Sequence, residues 1–326
     1  MRTHLPSFDA ADPPSLHVSG APRRAPVRVI VNAGSGGGCD PGLATDLEAR
    51  FGERGIDARV SLIHTGSDIE AAARNAVADQ SGTVVAGGGD GTVSAVASQL
   101  ADTGVALGVL PMGTLNHFAR DLGIPLDLDA AIDTIARGRP VDVDAGEVNG
   151  RIFINNSSLG LYPDIVLDRE RQRRRLGRGK WRALLAACVH AARRYPVLSL
   201  HLDLNDEALD RRSAFVFIGN NEYRMEGFEI GERERVDAGT LSLYVTQRTG
   251  RFGLLRLALR ALLGRLRQAR DFDMLTAPTV VVRTPHRQVR VAIDGEVDVM
   301  QTPLTYRVRR GALRVLVPHA LSQEQP

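Results

Sequence analysis

From position 27 the chain alternates short apolar runs with stretches whose apolar residues recur every three or four positions. The runs 27–31, 58–63, 83–86 and 105–110 predict buried strands, and the intervening 42–54, 67–79 and 92–100 predict helices. Ser67, with Glu70 three residues on, predicts the N-cap of the second helix through a capping box. Strands alternating with helices of this length indicate a parallel, doubly wound α/β sheet. After about Gly138 the pattern changes. Segments 141–148, 152–155, 197–204, 214–219, 240–245, 279–283, 288–293, 304–308 and 313–317 are rich in β-branched residues and bounded by Gly, Asp or Asn. Two helical patterns, 163–194 and 251–267, interrupt these strands. The expected organisation is a flexible tail over 1–26, an α/β domain over 27–138, and an antiparallel β-sandwich-like domain over 139–326 whose last residues are free to return to the first.

Three glycine-bearing turns each follow a predicted strand of the first domain. They are Asn32-Ala33-Gly34-Ser35-Gly36, Gly87-Gly88-Gly89-Asp90-Gly91-Thr92 and Pro111-Met112-Gly113-Thr114-Leu115-Asn116. In an open α/β sheet such loops converge at the carboxyl ends of the strands, where ligands bind. Glycine lets the backbone turn several N–H groups toward a phosphate, and the following helix adds its positive end. Ser35, Thr92 and Thr114 are candidate hydroxyl donors to phosphate oxygens. One such loop is as easily a plain tight turn, but three on one sheet edge point to a phosphate cradle. The first loop lacks the third glycine of a dinucleotide fingerprint, and no acidic residue closes a second strand at the right distance.

Composition narrows the chemistry. Of 41 basic residues only Lys180 is a lysine, and it stands in Gly179-Lys180-Trp181. That excludes a Walker A loop and the strand lysine of protein kinases. Cys39 and Cys188 are far apart and signal neither a disulfide framework nor a zinc site. Pro6, Pro13, Pro14, Pro22 and Pro26 break the first residues, so no signal peptide is expected. The apolar stretch 254–263 is interrupted by Arg256 and Arg260, and no transmembrane segment is expected. The net charge of +3 hides two concentrated positive segments, Asp168 to Arg182 and Arg251 to Arg270, on an otherwise acidic body. That distribution suits an anionic surface or ligand. Aromatics make up only 5% and are not interleaved with the basic residues, which argues against nucleic acid.

The three loops, with His117-Phe118-Ala119-Arg120 after the third and Asp294-Gly295-Glu296 near the C-terminus, resemble the signature loops of the diacylglycerol kinase catalytic domain family, which includes sphingosine kinases and bacterial lipid kinases. The resemblance covers roughly 27–318 and implies an ATP- and magnesium-dependent lipid kinase acting at a cleft between two domains. It implies that Asn32, Ala33, Gly34, Ser35, Gly36, Thr65, Gly88, Gly89, Asp90, Gly91, Thr92, Val93, Ser94, Gly113, Thr114 and Asn116 line the nucleotide. The sequence departs from the family at Ser94-Ala95, where Asn-Glu is common, at His117, where Asp is common, and at Asp237-Ala238-Gly239, where some bacterial members hold a structural magnesium.

Phosphoryl transfer needs positioning, charge neutralisation and an acceptor for the hydroxyl proton. Asp90 is the expected link to magnesium, and Glu296 the expected general base, with Asp294 orienting it or the metal. From spacing alone Asp294-Gly295 reads as a hairpin turn. Within 251–270 the leucines form one stripe and Arg256, Arg260, Arg267 and Arg270 a neighbouring one, as in a helix lying in a membrane interface. The same stripe also fits a surface helix packed on the sandwich. The expectation is a cytoplasmic enzyme, reversibly membrane-associated, with a homodimer left open. The alternatives are a kinase for a soluble alcohol or NAD, marked by a polar acceptor pocket, and a non-catalytic lipid-binding protein on a degenerate kinase fold.

Overall fold

The structure, a computed structural model, describes residues 26–34, 42–160, 198–204, 207–213, 215–226, 229–233, 235–246 and 272–319. The N-terminal part reads β1 (Val27–Asn32), α1 (Leu43–Glu53), β2 (Ala58–Ile63), α2 (Gly66–Ala78), β3 (Thr83–Gly88), α3 (Asp90–Leu100), β4 (Ala106–Pro111), α4 (His117–Asp121) and α5 (Leu128–Arg137). The four strands pair in parallel in the order β2-β1-β3-β4, with α2 against α3 and α1 against α5. Val29, Val31, Val84, Val85, Leu107 and Leu110 are almost wholly buried, which is why these strands read as continuous apolar runs.

The remainder is nearly all strand: β5 (Arg139–Val148), β6 (Arg151–Phe153), β7 (Asn156–Gly160), β8 (Leu198–Leu204), β9 (Glu207–Ser213), β10 (Phe215–Asn220), β11 (Tyr223–Glu226), β12 (Glu229–Arg233), β13 (Leu241–Thr246), β14 (Phe272–Ala277), β15 (Thr279–Arg283), β16 (Gln288–Ile293), β17 (Glu296–Gln301) and β18 (Leu304–Val317). An antiparallel sheet runs β14-β13-β10-β7-β16-β17, and β11 and β12 form a separate ribbon. This is an α/β domain followed by an antiparallel one. The two are joined by a sheet as well as by chain, because β18 pairs in parallel with β4 near its end and antiparallel with β15 near its start.

Several local expectations are corrected. The segments 304–308 and 313–317 are one strand, irregular between Arg309 and Leu313, where the Asp144 carboxylate accepts from the Gly311 N–H at 3.0 Å. The cap of α2 is Thr65 rather than Ser67. Its Oγ1 accepts from the Asp68 N–H at 3.2 Å and donates to the Asp68 carboxylate at 2.6 Å, so the cap sits two residues earlier. Helix α3 starts at Asp90 rather than Thr92 because Gly89 is its N-cap. The tail 1–25, the helical patterns over 163–194 and 251–267, and both basic segments lie outside the described residues. Among the described residues no helix is long and apolar enough to cross a membrane.

Candidate active site

The three loops leave the carboxyl ends of β1, β3 and β4, and the structure ties them to one another. The Asn32 carboxamide accepts from the Gly34 N–H at 2.9 Å and donates to Thr92 Oγ1 at 3.0 Å, so the first loop is fastened to the second. Gly89 and Gly113 meet backbone to backbone. A Cβ on Gly113 would lie 2.4 Å from the Gly89 Cα, so only glycine permits the approach. Asn116, left-handed at φ 52°, turns the third loop by accepting from the Gly113 N–H at 3.0 Å and donating to the Gly113 and Pro111 carbonyls.

These contacts reassign several expected ligand residues. Thr92 is 4% exposed under the second loop, where its hydroxyl oxygen accepts from the Asn32 amide and braces the two loops together. Val93 and Ala33 are buried in the core, leaving only their backbone groups to face a ligand. Thr65 is exposed and engaged in its helix cap. Thr114 is exposed on the third loop, while Ser35 and Gly36 lie outside the described residues.

Asp90 is the first residue of α3, at the positive end of an 11-residue helix. Its Oδ1 accepts from the Phe118 N–H at 3.2 Å, which joins α3 to α4. Its other oxygen accepts no protein hydrogen bond among the described residues. One carboxylate oxygen beside a phosphate cradle fits a magnesium ion carried on nucleotide phosphates, which the ion binds while keeping water. No cluster of three or more His, Cys, Asp or Glu arranged to hold a metal by itself is found among the described residues.

Asp294 and Gly295 form the two-residue connection between β16 and β17, with Ile293 opposite Glu296 and φ of 45° and 89°. Both positive values mark a type I′ turn, so the hairpin and the acidic site are the same feature. The Asp294 carboxylate is filled. Oδ1 accepts from the Asn155 and Asn156 N–H groups at 2.9 and 3.0 Å; Oδ2 accepts from the Ile154 N–H at 2.8 Å and from the Ser94 hydroxyl. Desolvation raises its pKa against the pull of those donors. With two donors on each oxygen, Asp294 has no room to serve as a magnesium ligand. It instead locks the turn onto α3 through Ser94, which also lines the adjoining cleft.

Glu296, exposed at the start of β17, lines a cleft of about 170 Å³ together with Gly91, Ser94, Ala95, Ser98 and Gln99 of α3, Glu70 of α2, and Gly150, Arg151 and Ile152. Gly91 of the second loop and Glu296 thus open on one space. Glu70, Ser98 and Gln99 on their helix faces and Arg151 at the start of β6 were not legible as site residues, since a lone polar residue there looks like ordinary surface. Arg151 donates to Asp298, two residues along β17 from Glu296, at 3.1 Å.

Two family models match the chain: the diacylglycerol kinase catalytic domain over residues 26–148, and the YegS C-terminal NAD kinase beta sandwich-like domain over 164–317. Residues 26–148 are thus similar to a diacylglycerol kinase catalytic domain, and the two matches together run over most of the chain. Among curated relatives it is 35% identical over 144 residues to the diacylglycerol kinase of Bacillus subtilis (strain 168), covering 43% of this chain and 48% of that protein. It is 39% identical over 119 residues to the probable lipid kinase YegS-like of Klebsiella pneumoniae (strain 342), covering 36% and 40%. The chain therefore spans less than half the length of these two relatives. A crystal structure of a diacylglycerol kinase from Bacillus anthracis str. Sterne superposes with a TM-score of 0.63 at 19% identity, covering 91% of this chain and 98% of that one. A second structure from the same organism gives 0.69 at 20%. At these identities the likeness is one of fold, and the fold is shared nearly end to end.

Proposed function

We propose that the chain is an ATP-dependent phosphotransferase that moves the γ-phosphate to a lipid hydroxyl. The observation that carries this reading is that Gly91, on the glycine loop opening α3, and Glu296, on the locked β16–β17 turn, line one cleft. The loop offers backbone N–H groups and a helix N-terminus to phosphate, and Asp90 is the residue to hold the magnesium that neutralises it. Glu296 removes the proton from the acceptor hydroxyl as its oxygen bonds to the γ-phosphorus, and the bond to the β,γ-bridging oxygen breaks to release ADP. The relatives named as diacylglycerol kinase and lipid kinase support a lipid acceptor.

The cleft wall of Glu70, Ser94, Ser98, Gln99 and Arg151 is polar, the mark expected for a soluble alcohol or NAD as acceptor, and it is also compatible with a hydroxyl presented on a polar headgroup. The same wall would admit a soluble alcohol, so that second reading stays in the test. The basic segments from Asp168 to Arg182 and Arg251 to Arg270 are proposed to bring the enzyme reversibly to anionic membranes from the cytoplasmic side. Transfer from labelled ATP into a total lipid extract, run beside soluble alcohols and NAD, tests the reading. A labelled lipid product that disappears in Asp90→Ala is expected. Label only in soluble products, or none, would overturn it. Vesicle sedimentation checks the docking, which fails as a proposal if binding ignores both anionic lipid and salt.

A further inference from the structure

The sequence Gly231-Glu232-Arg233-Glu234-Arg235 looks like a solvated charge run. The structure buries Arg233 completely. Its side chain is 0% exposed and that of its partner Asp121 is 3% exposed. Arg233 Nε donates to Asp121 Oδ2 at 2.7 Å, and its backbone N–H donates to Oδ1 at 3.2 Å. Nη1 donates to the Ile154 and Asn220 carbonyls at 2.7 and 3.2 Å, and Nη2 to Asn155 Oδ1 at 3.3 Å. The guanidinium carbon lies 5.4 Å from the ring centre of Tyr223 and 5.9 Å from that of Phe118.

A buried ion pair is a poor device for stability alone, since well-packed apolar residues serve as well or better. What a planar fork of directed donors adds is geometry. The contacts close a ring. Asp90 on α3 accepts from Phe118 on α4, which also carries Asp121. Asp121 holds Arg233 of β12, and Arg233 holds Ile154 and Asn155 between β6 and β7. The N–H groups of those two residues and of Asn156 hold Asp294, which returns to α3 through Ser94. Asp90 and Ser94 are four residues apart on one helix, so the path ends where it began.

We infer that Arg233 is a positioning residue that fixes Asp90 and Glu296 relative to one another, an inference that rests on the phosphotransferase reading. Arg233 touches no substrate; it acts through α4 on one side and through the 154–156 backbone on the other. Lysine at this place keeps the charge but presents a single ammonium that cannot span Asp121 and the two carbonyls together. A displacement of about 1 Å between reacting groups costs on the order of 100-fold in rate.

The test measures kcat, KM for ATP, melting temperature and amide exchange in Arg233→Lys, Ser94→Ala and the double variant. Arg233→Lys is expected to lose about 10- to 100-fold in kcat while KM for ATP moves less than about threefold. Amide exchange should quicken at Phe118 and at Ile154, Asn155 and Asn156 together. The double variant should lose little more than the worse single one, because both open the same ring. Fully multiplicative losses, or kcat unchanged in Arg233→Lys, would overturn the inference. Arg233→Met with Asp121→Leu guards against a purely structural role, since it removes the buried charges as a pair. Recovered melting temperature with kcat still low supports positioning, and joint recovery of both contradicts it. If the wild type transfers no phosphate in any assay, the functional reading fails. The exchange arm then still decides the ring: unchanged exchange at those four amides in Arg233→Lys refutes it.

Discussion

Arg54 and Arg233 both hold a carboxylate through Nε, at 2.8 Å from Asp133 and 2.7 Å from Asp121. Judged by distance they are the same interaction. They differ in what surrounds them. Arg54 belongs to a ladder between α1 and α5 that also includes Arg50 and Asp129, with carboxylates about half exposed to water. Arg233 and Asp121 have no water to fall back on, and burial, which opposes the Arg233 charge, is outweighed by Tyr223, Asp121 and Asp294 around it. Such a pair leaves little freedom of position. The comparison teaches that burial, rather than bond length, separates charges that set geometry from charges that decorate a surface.

The largest effect is expected at the buried pair. Arg233→Met alone leaves Asp121 buried without its cation and should cost about 3–5 kcal/mol of stability. Arg54→Met should change the melting temperature by about 2 °C or less and leave turnover alone. Equal losses in calorimetry would show that burial is not what distinguishes them.

Glu147 gives an intermediate case. Its side chain is 7% exposed and is bridged by Arg307 and Arg309, themselves 52% and 35% exposed. Desolvation pushes its pKa up, but the two guanidinium groups prevail and hold it below the ordinary 4.5. A depressed folded-state value means that its stabilising contribution is complete above pH 4.5 and is lost as pH falls through the folded value. Glu147→Gln should therefore lower stability most at neutral pH, where the contribution is complete, and flatten the acid limb so that the variant converges on the wild type as pH falls. An unchanged acid limb would remove Glu147 from the set of charges that matter.

The smallest effect is expected at His201 on β8, whose Nδ1 lies 2.7 Å from Asp210. That hydrogen bond is the main cause that holds the imidazole above its ordinary 6.5, with Asp203 adding to it. The raised value places its contribution fully below pH 6.5 and has it fade as pH rises through the folded value. In an NMR titration Asp210→Asn should move the midpoint downward with no change in turnover. A midpoint that stays put would show the pair to be broken in solution.

What the sequence disclosed follows the same division. Strands β2, β15 and β16 lie where the apolar pattern placed them: alternate positions of β15 and β16 are buried, while β2 is only partly covered and was carried by its alternation. The glycine loops and Asp294-Gly295 were legible because their backbone conformations demand those residues. Helices α4 and α5 were missed: Gly123 and Pro125 break the pattern between them, and the Asp127 cap of α5 has no Glu or Gln partner in its first turn. Strand β9, with the sequence EALDRRS, is a charged sheet edge that carries little apolar signal. Strand β17 was missed although EVDVMQ alternates as a strand does; only Met300 in it is buried, and Val299 is 57% exposed. Arg233 was out of reach for a deeper reason. Its partners Asp121, Ile154 and Asn220 come from three distant segments, and nothing local distinguishes it from Arg235, which is 68% exposed two residues on.

The central claim is that the cleft beside Gly91 transfers phosphate with Glu296 as its base. The direct measurement is label transfer from ATP into lipid by the wild type and by Glu296→Gln, with nucleotide binding followed in the same samples. The account predicts that Glu296→Gln binds ATP as the wild type does and loses turnover by about 10²- to 10⁴-fold, the range for a general base. Near wild-type turnover in Glu296→Gln would contradict it.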